Sequence, residues 1–169
     1  VQLHDRELPQ QILKVLAETN FPASRLEIEL TEGALVSDLE AARKILSSLK
    51  QQGVKIAIDN FGTGHSSLRQ LRELPFDKLK IDRSFIQRMT EDRDSSAMVG
   101  AIVAMAKNLE LGVVAEGVQT LEQAKALFGL GCEQGQGDFF GKAAAAPDLV
   151  AAPRQSAPPA AAPASAERI

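Results

Sequence analysis

Val54-Lys55-Ile56-Ala57-Ile58-Asp59-Asn60-Phe61-Gly62-Thr63-Gly64 is a β-branched apolar run that ends on an acid and breaks into a glycine-rich turn. The apolar run is too short for a full helix, and its Val and Ile content suits a pleated strand. The same unit recurs on both sides. Upstream, residues 26–30 alternate apolar residues with Glu, Glu29 closing the run and Glu32 following. Downstream, residues 79–81 make a brief strand with Lys80 inside it and Asp82 after it. Residues 111–115 are another buried strand, followed at once by Glu116. A last short strand is expected over 132–136, ending at Gln136.

Helical patterns fill the gaps. Residues 8–17 place Leu8, Ile12, Leu13, Val15 and Leu16 roughly on one face, and Asn20 with Pro22 ends that helix. Ser37 with Glu40 reads as a capping box, opening a helix whose stripe is Leu39, Ala42, Ile45, Leu46 and Leu49 and which Gly53 stops. Residues 67–74 give a short helix closed by Pro75. Residues 95–109 give the longest helix, with Met98, Ile102, Met105, Ala106 and Leu109 as its core side. Thr120 with Gln123 forms a second capping box. About five strands alternate with helices through short connections, the pattern of right-handed βα units and a parallel sheet. Periodicity alone leaves an open doubly wound sheet and part of a closed barrel equally available.

Length and composition frame this reading. The chain has 169 residues, 44% hydrophobic and 24% charged, with a formal net charge of −3. That suits a soluble globular domain and gives no general attraction to a DNA or RNA backbone. Cys132 is the single cysteine, so no intramolecular disulfide forms, and a core position is expected for it. No long apolar run or leader-like N-terminus is present, so a cytoplasmic setting without membrane contact is expected. The first residue is Val1 rather than Met, which reads as a segment of something longer. From Ala143 onward Ala and Pro dominate, and a disordered tail over 143–169 is expected beside a domain over 1–142.

In parallel α/β architecture the C-terminal ends of the strands share one face, where sites are built. Glu29, Glu32, Asp59, Lys80, Asp82, Glu116 and Gln136 would therefore meet there. Acids gathered in this way repel one another unless neutralised, and a hard divalent cation such as Mg²⁺ or Mn²⁺ is the natural neutraliser. Taken singly, an acid after a strand is more often a helix cap or a solvated loop residue. The 59–64 turn could equally be an ordinary loop, or could offer backbone N–H groups to phosphate. It is neither a Walker loop nor a dinucleotide fingerprint. His4 and His65 have no ligand-spaced partner.

At these residues the chain resembles the EAL family of cyclic di-GMP phosphodiesterases. Glu29-Leu30-Thr31-Glu32 is similar to its E-[IL]-T-E segment, and Ile56 to Gly64 resembles its DDFGTG strand and loop. Leu79-Lys80-Ile81-Asp82-Arg83-Ser84-Phe85 resembles its LKID-x-SF segment. Val113-Val114-Ala115-Glu116-Gly117-Val118 resembles VVAEGV, and residues 131–137 resemble its GC-D-x-x-QG segment. The resemblance runs from about Leu3 to Gly141 in consistent order and spacing.

It implies a (β/α)8 barrel of the TIM type, of which about five βα units are present and the N-terminal strands are missing. It also implies hydrolysis of cyclic di-GMP to pGpG with two Mg²⁺ or Mn²⁺ ions. By that resemblance Glu29 is a metal ligand, Asp59 the carboxylate bridging both metals, and Lys80 the group that steadies water or phosphate. Glu116 is the general base or second-metal support, Asp82 and Gln136 line the site, and Glu32 orders the 59–64 loop. Cyclic di-GMP is the implied ligand, and homodimerisation is left open.

The departures shape a further expectation. The tripeptide that names the family, with its metal-binding Glu, and the family's Asn ligand both fall outside residues 1–169. Asn60 replaces the second Asp of the pair as a neutral, weaker ligand, His65 replaces a Tyr, and the 136–143 segment lacks the usual Arg and Pro. The chain by itself is therefore expected to be inactive, with a non-catalytic module that binds cyclic di-GMP or a partner protein as the alternative, and a functionless remnant as a third reading. With about five strands, two open parallel edges and an uncovered apolar interior are expected.

Overall fold

The computed structural model describes residues 5, 7–35, 39–64 and 68–143. The first capping position at Ser37, both histidines and the Ala/Pro-rich stretch after Ala143 lie outside the described residues.

Five strands of the described residues form one parallel sheet in chain order: β1 Glu27–Thr31, β2 Lys55–Phe61, β3 Lys78–Ile81, β4 Gly112–Glu116 and β5 Gln134–Gln136. Among the described residues β1 and β5 each pair on one side only, so both edges are open. Among the described residues six α-helices connect or flank the strands: α1 Leu8–Thr19, α2 Leu39–Gln51, α3 Leu68–Glu73, α4 Arg83–Arg88, α5 Arg93–Asn108 and α6 Leu121–Leu130.

Local chemistry sets their ends. Asp92 caps α5, its carboxylate accepting from the Asp94 and Ser95 amides. The expected capping box opens α6, with Thr120 accepting from the Gln123 amide and Gln123 reaching back to the Thr120 amide. The short α4 has no counterpart in the sequence reading. Asp82 caps it, accepting from the Ser84 amide at 2.9 Å.

The register divides the sheet into two chemically different faces. Leu30, Ile56, Ile58, Leu79, Ile81, Val113 and Ala115 are buried on the helix side, in one core with Leu46 and Leu49 of α2, Val99, Val103 and Ala106 of α5, and Leu127 of α6. Cys132 belongs to that core, as expected. The opposite face carries Glu27, Glu29, Ala57, Asp59, Lys78, Lys80, Glu116, Gln134 and Gln136, as the paired rows require. The expected apolar interior is therefore corrected: the face without helices is charged. Successive residues of a strand point to opposite sides, so Glu27 and Glu29 share one face and Ile28 takes the other. Such a strand cannot be apolar on both.

A second correction concerns α5. Val99, Ile102, Val103 and Ala106 face inward, whereas Met98 is 48% exposed. The buried stripe lies one position further round the helix than the sequence reading places it.

Candidate functional site

Lys80 lies near the C-terminal end of β3 with its side chain only 6% exposed. Its ammonium stands 2.7 Å from Glu29 Oε2 on β1, 2.7 Å from Glu116 Oε1 on β4 and 3.6 Å from Asp59 Oδ1 on β2. Four neighbouring strands thus deliver one lysine and three carboxylates to one point. Ala57 makes this possible, because Glu29, Ala57 and Lys78 share one row of the sheet. A methyl group there leaves room for long side chains on β1 and β3 to meet across β2. Glu27 and Lys78 use the same gap, 2.7 Å apart. That second pair was missed from sequence, although its period-two spacing from Glu29 and Lys80 was there to be seen.

Burial acts to lower the Lys80 pKa, but hydrogen bonds to Glu116 and Glu29, with the charges of Glu116 and Asp59, win and raise it above the ordinary lysine value. Lys80 is therefore held in its cationic form. Glu116, 19% exposed, is pushed above the ordinary glutamate value. Burial is the main cause, Lys80 opposes it, and the neighbouring carboxylates Asp59 and Glu29 add to it.

Asp59 lies within β2 rather than after it, because that strand runs on to Phe61. Its register to β3 slips between Ile58 and Phe61. Asn60 absorbs that irregularity with φ +54, a left-handed conformation that Asn tolerates. Both Asp59 oxygens are held by Asn60: the backbone amide donates to Oδ1 at 2.9 Å and the side-chain amide to Oδ2 at 3.1 Å. The loop beyond is anchored from β1's end. Glu32 is buried, and its Oε2 accepts from the Gly64 amide at 3.0 Å. A Cβ on Gly64 would stand 3.0 Å from the Glu32 carboxyl carbon, so a larger residue there would push against the Glu32 side chain.

The turn after β4 fixes the backbone of Glu116. Gly117 turns the chain at φ +71, and a Cβ there would come within 2.6 Å of Arg83 Cβ. Gln136 pairs in register with Glu116 and is exposed beside it on β5. β3 ends at Ile81, and the Asp82 carboxylate is engaged by the Ser84 amide as the α4 cap. A cavity of about 600 Å³ on the charged face is lined by Glu27, Glu29, Lys78, Lys80, Gln134 and Gln136, among others.

Among the described residues, no group of three or more His, Cys, Asp or Glu side chains is arranged as a ready metal site. The expected cradle is drawn in on Lys80 instead. The donors still have the chemistry a hard divalent ion takes, carboxylate oxygens from three strands already gathered by one cation. The donor chemistry therefore fits such an ion, at oxygens that now contact the Lys80 ammonium. No described helix is long and apolar enough to cross a membrane.

Comparison with known proteins bears on this arrangement. Residues 1–143 match the EAL domain family. Over 144 residues the chain is 42% identical to the bifunctional diguanylate cyclase/cyclic di-GMP phosphodiesterase MucR of Pseudomonas aeruginosa, covering 85% of this chain and 21% of that protein. A solved c-di-GMP complex of the PaMucR phosphodiesterase superposes with a TM-score of 0.84 at 41% identity, over 88% of this chain and 60% of the solved one. A manganese and c-di-GMP complex of Klebsiella pneumoniae BlrP1 at pH 9.0 superposes with a TM-score of 0.76 at 31% identity, over 82% and 36%. The chain spans roughly a fifth of the length of several curated relatives that it matches, 18%, 18% and 20%.

Proposed function

The chain belongs to the EAL domain family, and we propose that its charged rim is part of a site for metal-dependent hydrolysis of cyclic di-GMP to pGpG. The observation that carries this reading is the convergence of Glu29, Asp59 and Glu116, from three strands, on Lys80. The relatives named for phosphodiesterase activity, and the solved complexes with cyclic di-GMP, support it.

In this reading Glu29 and Asp59 hold divalent ions, Mg²⁺ or Mn²⁺, with Asn60 as a weak third donor. Bound there, such ions would activate water and neutralise the phosphodiester. Glu116, its pKa raised by burial, is the group suited to accept a proton. Lys80 supplies a permanent positive charge for a phosphate oxygen. Gln136 and Asp82 line the approach, and Glu32 keeps the 59–64 loop in place through Gly64.

We further propose that residues 1–169 alone do not turn over, because the glutamate and asparagine ligands implied by the family resemblance are not among them. A second reading, a binding module without catalysis, is favoured by one observation: the Asn60 amide donates to the Asp59 carboxylate and occupies an oxygen that a metal would need. Incubation of the chain with cyclic di-GMP and Mn²⁺, with separation of the nucleotides, is expected to yield no pGpG. Calorimetry with cyclic di-GMP in Ca²⁺ is expected to show binding. Steady pGpG formation would overturn the inactivity, and absence of binding would overturn the site.

A further inference from the structure

We propose that Lys80 is a resident counter-cation of the carboxylate rim, which a divalent ion must displace in order to bind. The inference rests on the reading of the rim as a divalent-ion site, and concerns what that site does before the ion arrives.

The geometry leads to it directly. Glu29 and Glu116 lie on opposite sides of β3, and each has an oxygen 2.7 Å from the Lys80 ammonium, with Asp59 at 3.6 Å. These are the three carboxylate oxygens that converge on one centre, where an incoming cation would gain most. A divalent ion binds carboxylate oxygens at roughly 2.0–2.6 Å, so it would share the space the ammonium now fills. An ion and an ammonium drawn to those same oxygens repel one another. The two cannot hold the same oxygens together.

Lys80 is built for such an exchange. Its backbone is fixed in β3 by pairing to β4, while its aliphatic stem is flexible and the charged face opens into the cavity beside Gln134 and Gln136. Released from the carboxylates, the ammonium can swing into that space without moving the sheet. The ammonium then offsets part of the acids' charge before any metal arrives, and an ion that takes these oxygens must break the lysine contacts. The ammonium freed by the ion is placed to meet an anionic ligand.

Two measurements on the 169-residue chain test this. In the wild-type protein, acylation of lysine amines is monitored by mass spectrometry with and without Mn²⁺. Labelling of Lys80 is expected to rise several-fold on Mn²⁺ binding, while Lys78, paired with Glu27, stays constant. In Lys80→Met, calorimetry is expected to show Mn²⁺ binding about tenfold tighter than wild type.

Mn²⁺ binding with no rise in Lys80 labelling would overturn the proposal and leave the metal site standing. So would equal or weaker affinity in a cooperatively melting Lys80→Met protein. If that variant does not melt cooperatively, the wild-type labelling decides alone. No Mn²⁺ binding by either protein would overturn the divalent-ion reading itself, and the proposal with it.

Discussion

Glu29 on β1 and Lys80 on β3 meet at 2.7 Å across the whole width of β2. Side chains on strands two apart touch only when the strand between them offers nothing to block the path, and Ala57 offers a methyl group. Ala57→Leu should push both bridging pairs apart, Glu27 with Lys78 as well as Glu29 with Lys80. A loss of about 1–3 kcal/mol is expected from such crowding. Urea unfolding checks it, and an unchanged midpoint would show that the bridges do not depend on the gap.

Asp77 ties the opposite end of the sheet. Its carboxylate pairs with Lys50 and with Lys55, and accepts from the Ile56 amide at 2.9 Å. Burial acts to raise its pKa, but the Lys50 hydrogen bond, the Ile56 amide and the two lysine charges hold it below its ordinary value. A carboxyl with a depressed folded pKa stabilises fully above its unfolded pKa and loses that contribution as pH falls through the folded one. Asp77→Asn is therefore expected to cost about 1–3 kcal/mol at neutral pH and to lose less stability than wild type on acidification. Melting temperatures recorded from neutral pH down into the acid range would show the two curves converging.

The hold of Glu32 on the 59–64 loop is open to a local measurement. Glu32→Ala removes the acceptor of the Gly64 amide. Exchange of that amide with solvent should accelerate roughly tenfold or more, given about 1–3 kcal/mol for a hydrogen bond to a buried charge. Amides in β4, remote from the loop, should keep their rates. Equal acceleration everywhere would mean that Glu32 supports the whole fold rather than one loop.

Asn60→Asp replaces a donor to Asp59 with a second negative charge. The metal-free protein should melt lower, from repulsion between adjacent carboxylates. Mn²⁺ should recover that loss and bind about tenfold tighter than in wild type. A variant melting lower with no gain in Mn²⁺ affinity would remove Asn60 from the proposed donor set.

Much of this could be read from residue order. Short β-branched runs ending in acids, separated by helical stripes, placed five parallel strands in sequence, and Thr120 with Gln123 announced the start of α6. The rim was legible for the same reason, since strand ends in a parallel sheet share one side. The charged inner face was half legible. Glu27 and Glu29 alternate with Ile28 and Leu30, but β4 carries Val113, Val114 and Ala115 on both sides, so no parity can be read from it.

Other features stayed hidden for definable reasons. The six-residue α4 is too short to show a helical period, so the capping role of Asp82 could not be read from the sequence. The stripe on α5 opens on the polar Ser95, which hides the start of the buried side and drew Met98 inward. That Lys80 would gather the carboxylates in person depends on Ala57, whose size matters only once three strands are aligned.

Strand order along the sheet equals strand order along the chain. Each unit therefore leans on its immediate predecessor and successor, and no connection has to cross another to reach its place. Architecture of this kind can grow or be shortened one unit at a time, like courses of brickwork, and any seam between units is a place where recombination could join pieces of different ancestry. The exposed sides of β1 and β5 are the two faces at which further courses would be laid.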